Sequence, residues 1–237
     1  MKYLIADLVT EFTPKYDNLK SLAEPFKYNG SREADIKISV TDESIEKSMS
    51  KVAEGTTVPM MENFLMSGQF NRAAIKYSTM LVHSSALIYN DGAYLFSGNS
   101  GVGKSTHTRL LLNLLGDKAH IMNDDKPVVR LYDDRAVAFG TPFDGGSGIA
   151  LNEAYPLKAI IFIERGESNS VRVPDSKEII KKLYFQTAHM VSAKTAEKML
   201  NNFDKLFKLT HFYVLTCNME PEAAQATYNS ILENKRE

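Results

Sequence analysis

Gly98-Asn99-Ser100-Gly101-Val102-Gly103-Lys104-Ser105 is the stretch on which the reading of this chain turns. It satisfies the P-loop, or Walker A, pattern of Gly, four residues, then Gly-Lys-Ser/Thr. Each position has a physical task. Gly98, Gly101 and Gly103 lack a Cβ, so the backbone can take positive φ and turn its N–H groups inward, as a nest for phosphate oxygens at the start of a helix. Lys104 supplies a point charge for the β and γ phosphates, and the Ser105 hydroxyl is a ligand for Mg2+. Asn99, Ser100, Val102 and Thr106 complete the run of chain around such a ligand. The pattern predicts a bound nucleoside triphosphate, ATP, with Mg2+.

The flanks agree with the loop. Ser84 to Tyr89 and Ala93 to Ser97 read as strands joined by the Asn90-Asp91-Gly92 turn. The second strand delivers the chain into Gly98. Lys104 to Leu115 reads as a helix, with Leu110, Leu111, Leu114 and Leu115 available for burial and Gly116 as a left-handed C-cap. Ala119 to Met122 is an apolar strand that runs into Asn123-Asp124-Asp125, about twenty residues after Lys104, where a phosphate-loop protein places a carboxylate on magnesium. Adjacent acids on an extended chain point to opposite sides. One can therefore hold the metal while the other meets the proton of an acceptor hydroxyl. A plain surface turn, as expected for Asp133-Asp134, is the competing reading of the pair. His83 precedes the first strand of the hairpin, whose return can bring it level with the loop, where it can orient Asp124 or tune its charge. His107, His120, His189 and His211 show no metal-ligand spacing and are given no role.

Further out, Pro127 to Tyr132 and Ala136 to Phe139 form a second hairpin across Asp133-Asp134. Thr141 to Gly148 is irregular, either a loop that closes over substrate or a plain connection. Leu157 to Ile163 is a buried strand, and Val171 to Val173 is expected to pair with it after the Arg165-Gly166 turn. Asp175 is an N-cap for Lys177 to Phe185. Lys194 to Lys208 is an amphipathic helix, His211 to Cys217 a last strand and Pro221 to Glu233 a closing helix. Before the loop, Tyr3 to Val9 reads as a strand and Asp35 to Val40 alternates apolar and polar residues, the marks of a small β-rich cap. A helix over Met60 to Tyr77, with Phe64, Leu65, Phe70, Ala73, Ala74 and Tyr77 at loose helical spacing, leads into the main part. The expected division is a β-rich region over 1–59 and a P-loop kinase-like domain over 60–237.

Composition sets the bounds. The 237 residues are 43% apolar and 24% charged, the usage of a globular protein with a sizeable core. Lys and Arg total 28 against 29 Asp and Glu, so no global field favours nucleic acid or an anionic membrane. No apolar run approaches the roughly 18 residues of a membrane span. The single cysteine, Cys217, has no partner within the chain, which suits a reducing compartment, the cytoplasm.

His83, the hairpin, Gly-x-Ser-Gly-x-Gly-Lys-Ser and Asp-Asp together resemble the catalytic domain of HPr kinase/phosphorylase, whose fold is shared with phosphoenolpyruvate carboxykinase. The similarity covers roughly His83 to Ile163, about a third of the chain. It implies an α/β fold with a mixed sheet around a central phosphate loop, ATP with magnesium, and transfer to a serine hydroxyl. By position it implies that Lys104 binds phosphate at the catalytic centre, Ser105 holds magnesium, Asp124 is the base, Asp125 is the magnesium-side carboxylate and His83 stands beside the base. A small, divergent member of this family is an ATP-dependent phosphotransferase whose acceptor is a hydroxyl of a protein, peptide or small molecule. A homo-oligomer stays open. The rival class is a nucleotide-binding accessory or switch protein that transfers nothing, and the acid pair favours the kinase.

Overall fold

Period-two alternation along a few buried strands builds the architecture. The computed structural model describes residues 1–52, 55–187 and 193–233. In chain order the elements are β1 (Lys2–Ile5), β2 (Leu8–Glu11), α1 (Asp17–Ala23), β3 (Ile36–Lys37), α2 (Asp42–Met49), α3 (Val58–Ala74), β4 (Thr79–Leu81), β5 (Ser84–Tyr89), β6 (Gly92–Ser97) and α4 (Lys104–Leu115). There follow β7 (Ala119–Asp125), β8 (Val128–Leu131), β9 (Ala136–Phe139), β10 (Ala154–Arg165), β11 (Ser170–Arg172), α5 (Ser176–Thr187), α6 (Ala193–Leu209), β12 (His211–Cys217) and α7 (Pro221–Thr227).

The larger sheet is mixed. Along it the order is β4-β8-β9-β10-β6-β5-β7, and β12 and β11 continue from β10. β10 is the branch: Ala154 to Pro156 pair with β9, whereas Leu157 onward runs parallel to β6 and Ala159 onward parallel to β12. Side chains alternate across these strands. Ala86, Ile88, Ile160 and Phe162 face a core shared with Leu183 of α5 and Phe203 of α6. Leu87, Tyr89, Ile161 and Ile163 face the opposite core, shared with Leu111 of α4 and Ala223 of α7. The sheet is thus buried on both faces, and its parallel strands read as near-continuous apolar runs.

The N-terminal region is a separate three-stranded sheet, β1-β2-β3. Its core includes Tyr3, Ile5, Leu19 and Phe26 together with Met61, Met66, Phe70 and Ala74 of α3, and Phe143. Tyr3 to Val9, expected as one strand, is a tight hairpin, because Ala6 and Asp7 both take left-handed φ, 50° and 60°. Ile-Ala-Asp-Leu lacks the Asn-Gly or Asp-Gly signature of such a turn. Helices α1 and α2 were absent from the sequence expectation. Both are short, and α2 buries one residue, Ile45, so neither leaves a periodic stripe. β11 pairs with β12 and not with β10, since both edges of β10 there are already taken by β6 and β12. The expected helix over Pro221 to Glu233 tightens to α7 and then widens into a π turn over Tyr228–Leu232.

α3 is polar where the sheet of the larger unit meets it. Glu62, fully buried, accepts from the N–H groups of Lys15 and Tyr16 at the start of α1. Asn71 accepts from the Leu81 N–H and donates to the Thr187 carbonyl. The expected helical stripe named neither of them, and it included Phe64, which is 52% exposed. Among the described residues no helix is long and apolar enough to cross a membrane.

His107 ties α4 to α7. It is fully buried, its Nε2 lies 2.9 Å from Thr227 Oγ1, and its ring packs on Phe96. Burial lowers its pKa to about 4. Folded chain therefore refuses a proton that unfolded chain accepts near pH 6.5, so stability is lost as pH falls from about 6.5 to about 4. The loss approaches about 3 kcal/mol at the low end of that window. Denaturant unfolding at a series of pH values should show this slope, and His107→Gln should flatten it. An equal slope in both proteins contradicts the assignment.

Candidate functional site

The loop leaves the C-terminal end of β6 and enters α4 at its N-terminus. Gly98, Gly101 and Gly103 have φ of 157°, 74° and 112°. At Gly103, the N-cap position, the left-handed φ disfavours any side chain, and a Cβ would also displace the Met219 methyl, 1.9 Å away. No side chain caps α4, and its first-turn N–H groups face the loop without intrahelical acceptors. Lys104 is buried inside the loop, its Nζ donating to the carbonyls of Gly98 at 3.0 Å and Asn99 at 3.3 Å. Burial lowers its pKa, against the nearby carboxylates of Asp125 and Asp124, which raise it. Asn99 and Ser100 are exposed, Val102 half-buried and Thr106 exposed. Arg165, at the end of β10, clasps the loop from outside by donating to the carbonyls of Gly101 and Val102.

β7 brings the acids. It pairs with β5 so that Asp124 lies opposite Ser85 and Asp125 opposite Ser84. Ser105 Oγ donates to Asp124 Oδ1 at 3.1 Å. His83 Nε2 stands 2.9 Å from Asp125 Oδ1, and Lys126 pairs with the other oxygen of Asp125. The sequence reading set His83 beside Asp124 and gave the magnesium side to Asp125. The structure re-pairs them: Asp124 is with Ser105, and Asp125 is with His83. Successive residues of β7 face opposite sides, and its register against β5 sets which neighbours each acid meets; Asp125 in addition has φ of 116°, outside the regions a non-glycine residue favours.

Several contacts hold that conformation. Asn123, fully buried, donates to the carbonyls of Thr141 and Phe143 and accepts from the Lys126 N–H. Asp125 bridges to Asp144, whose carboxylate accepts from Asn63 Nδ2 and the Gly148 N–H. At Gly145 a Cβ would lie 2.8 Å from Asp125 Cγ. The first half of the Thr141 to Gly148 loop is thus a buried buttress, while Gly145 to Gly148 are exposed. Burial on its own would raise the Asp125 carboxyl. The His83 hydrogen bond and the Lys126 ammonium outweigh it and hold the group well below the usual carboxylate range.

His83 is fixed on its other side too. Nδ1 lies 3.0 Å from Gln186 Oε1, and Gln186 Nε2 donates to Asn99 Oδ1, which joins the histidine to the loop. Both ring nitrogens face oxygens, and a ring protonated on both donates to both. Two clefts border this cluster. One, of 580 Å³, is lined by the outer side of the loop, Arg165 and α5. The other, of 740 Å³, opens on His83, Asp125 and Lys126 and is walled by α3.

Of the other histidines, His107 is structural and His120 pairs with Glu153 on the surface. His189 lies outside the described residues. Sequence reasoning missed Arg165, Asn123, Lys126 and Gln186. Arg165 ends a parallel strand, the level at which α/β sheets bind ligands, and that signal could have found it. Ser105 and Asp124 present one hydroxyl and one carboxylate, hard oxygens of the kind Mg2+ takes. Among the described residues no cluster of three or more His, Cys, Asp or Glu is placed to hold a metal. A cation here would need phosphate oxygens to complete its shell.

No protein-family model matches the chain, and no curated protein does. Among solved structures, it is similar to the HPr(Ser) kinase/phosphatase from Coxiella burnetii, with 11% identity over 65% of this chain and 97% of that one and a TM-score of 0.35. The likeness is a distant one.

The twist at Asp125 is testable apart from any activity. A residue held outside its favoured φ region costs about 1–3 kcal/mol, and glycine is relieved of that cost. Asp125→Gly and Asp125→Ala both remove the carboxylate, so the glycine variant should be the more stable by about 1 kcal/mol in denaturant unfolding, after its larger unfolded-state entropy is subtracted. An alanine variant that is equal or more stable would show the backbone to be unstrained.

Proposed function

We propose that the chain is an ATP- and Mg-dependent phosphotransferase of the HPr kinase-like kind, acting on a hydroxyl. The observation that carries the proposal is the division of the acids: Asp124 on the Ser105 side of the loop, Asp125 with His83 at the floor of a cleft. A protein that only binds nucleotide needs the first and has no use for the second.

In this reading the loop N–H groups and Lys104 bind the β and γ phosphates, and Ser105 with Asp124 would hold magnesium, which neutralises charge on the phosphate oxygens. Lys104 now spends its donors on Gly98 and Asn99, so it needs only to turn from carbonyls to phosphate. An acceptor hydroxyl in the 740 Å³ cleft meets Asp125. Its oxygen forms the bond to the γ phosphorus as the bond to the β–γ bridging oxygen breaks, ADP keeps that electron pair, and the proton passes to the Asp125–His83 pair. A carboxylate held at low pKa by the His83 hydrogen bond and the Lys126 ammonium is a weak base. It suits a loose transition state, in which the hydroxyl becomes acidic late, after its oxygen has begun to bond to phosphorus. The roles of the two acids are thus the reverse of those the family resemblance implies. The twist at Asp125 supports this, because strained backbone persists at sites that use it.

Millimolar Mg-ATP should raise the melting temperature of the wild type, since a ligand that binds only the native state adds stability. Lys104→Ala should weaken that binding roughly tenfold to a hundredfold, the worth of a hydrogen bond to a charged group. An unchanged melting temperature in the folded wild type would remove the nucleotide site.

The acids separate the readings of mechanism. Asp125→Asn should lower labelled-phosphate transfer to a hydroxyl acceptor by roughly a hundredfold to ten-thousandfold while ATP affinity holds. Asp124→Asn should instead raise the magnesium concentration needed for half-maximal rate. The opposite pattern restores the roles implied by family resemblance, and wild-type rates in both variants sink the transferase.

A further inference from the structure

The 740 Å³ cleft beside Asp125 has a composition of its own. Its volume falls in the range of small-molecule sites, about 300–1,000 Å³. Phe64, Leu65 and Leu81 line it with apolar surface, and Phe64 is 52% exposed although a phenyl ring in a helix ordinarily seeks the core. Lys126 Nζ sits 5.9 Å from the Phe64 ring centroid, so this ring borders the reacting end of the cleft. Lys51 and Arg72 also line it, and among the described residues neither forms an ion pair. Among the described residues Asp125 is the only acid in the lining, and it already bonds His83 and Lys126.

α3 is shaped for an occupant. Phe64, Gly68 and Arg72 fall at i, i+4 and i+8, on one helix face about 12 Å long at 1.5 Å per residue. Gly68 has ordinary helical φ, and a Cβ there would meet only Arg72 Nη1 at 3.5 Å, so neither conformation nor packing demands a glycine. Glycine within a helix costs roughly 0.5–1 kcal/mol relative to alanine. What it supplies here is open space in the cleft, between a phenyl ring at one end and a guanidinium at the other.

We infer that this cleft binds the phosphoryl acceptor, and that the acceptor is a small molecule with an apolar body, a hydroxyl held at Asp125 and a carboxylate or phosphate group held by Arg72. The inference rests on the phosphotransferase reading for the word acceptor, and on the cleft alone for the chemistry it binds. The charge complementarity selects an anion, since an incoming cation would meet Lys51, Arg72 and Lys126. The apolar wall selects a body that loses water gladly.

The test uses the full chain and probes that cannot be phosphorylated, so it is independent of transfer. Calorimetric titration with 3-phenylpropionate and phenyl phosphate should show millimolar binding, with the neutral 3-phenyl-1-propanol at least tenfold weaker. Arg72→Glu should weaken both anions at least tenfold and leave the alcohol as it was. Gly68→Leu should abolish binding of all three, and the better helix former keeps the fold secure. Both variants should retain the wild-type melting shift with Mg-ATP, since neither residue touches the loop. Equal affinity for alcohol and anions, or anion binding indifferent to Gly68→Leu, overturns the inference. Labelled transfer to a serine-peptide pool, with none to apolar hydroxy acids and hydroxyl-bearing phosphate esters, overturns the substrate class. If Mg-ATP produces no shift while the anion pattern holds, the cleft stands as an anion site and the transferase reading falls.

Discussion

A buried ammonium inside a ring of backbone is the constraint around which this molecule is arranged. Lys104 lies within the Gly98 to Gly103 loop and satisfies itself on two loop carbonyls. A buried cation without partners is expensive, so the loop must keep a shape that offers oxygen to the lysine on one side and N–H groups to a ligand on the other. Three glycines permit the shape, and Arg165 takes up the outward carbonyls of Gly101 and Val102. The strand before the loop is held between β5 and β10. Strain in the loop is therefore carried by a sheet buried on both faces.

The same economy explains the acids. Two carboxylates next to each other in sequence, close to one buried lysine, repel unless they are separated or neutralised. The chain does both. Asp124 takes a neutral hydroxyl partner at Ser105, and Asp125 is matched by His83 and Lys126. Separation follows from the alternation of β7, and the unusual φ at Asp125 is accompanied by the Asn123 and Asp144 contacts that pin the following loop. Asn123, buried, makes three hydrogen bonds that pin this segment.

The loop, its flanking hairpin and the helix after it were legible because their signals are local: glycine spacing, an Asn-Asp-Gly turn, and a run of leucines. The pairing of the acids was not. On an ideal strand they point to opposite faces, but which face meets Ser105 depends on register against β5 and on a backbone angle at Asp125 that no propensity encodes. Asn123, Gln186 and Asn63 went unread for a related reason. Each is polar and ordinary in sequence, and gains its role from partners 18 to 103 residues away. The helix α3 was expected from its apolar residues, whereas Glu62, Asn63 and Asn71 carry its long-range contacts.

α3 also shows why the N-terminal sheet belongs in any account of the site. Its apolar side is part of the core of β1, β2 and β3, and its polar side grips Asp144, Leu81 and Thr187. Those three positions border the two acids, the strand leading to His83 and the end of α5. A helix fixed on one side by packing and on the other by directional hydrogen bonds has little freedom to slide, because polar contacts tolerate far less displacement than apolar ones. The wall of the cleft is thus a constrained surface near Asp125. Any shape selection of what lies against Asp125 falls to the residues that α3 presents, and Phe64, Gly68 and Arg72 form one line among the six it presents there.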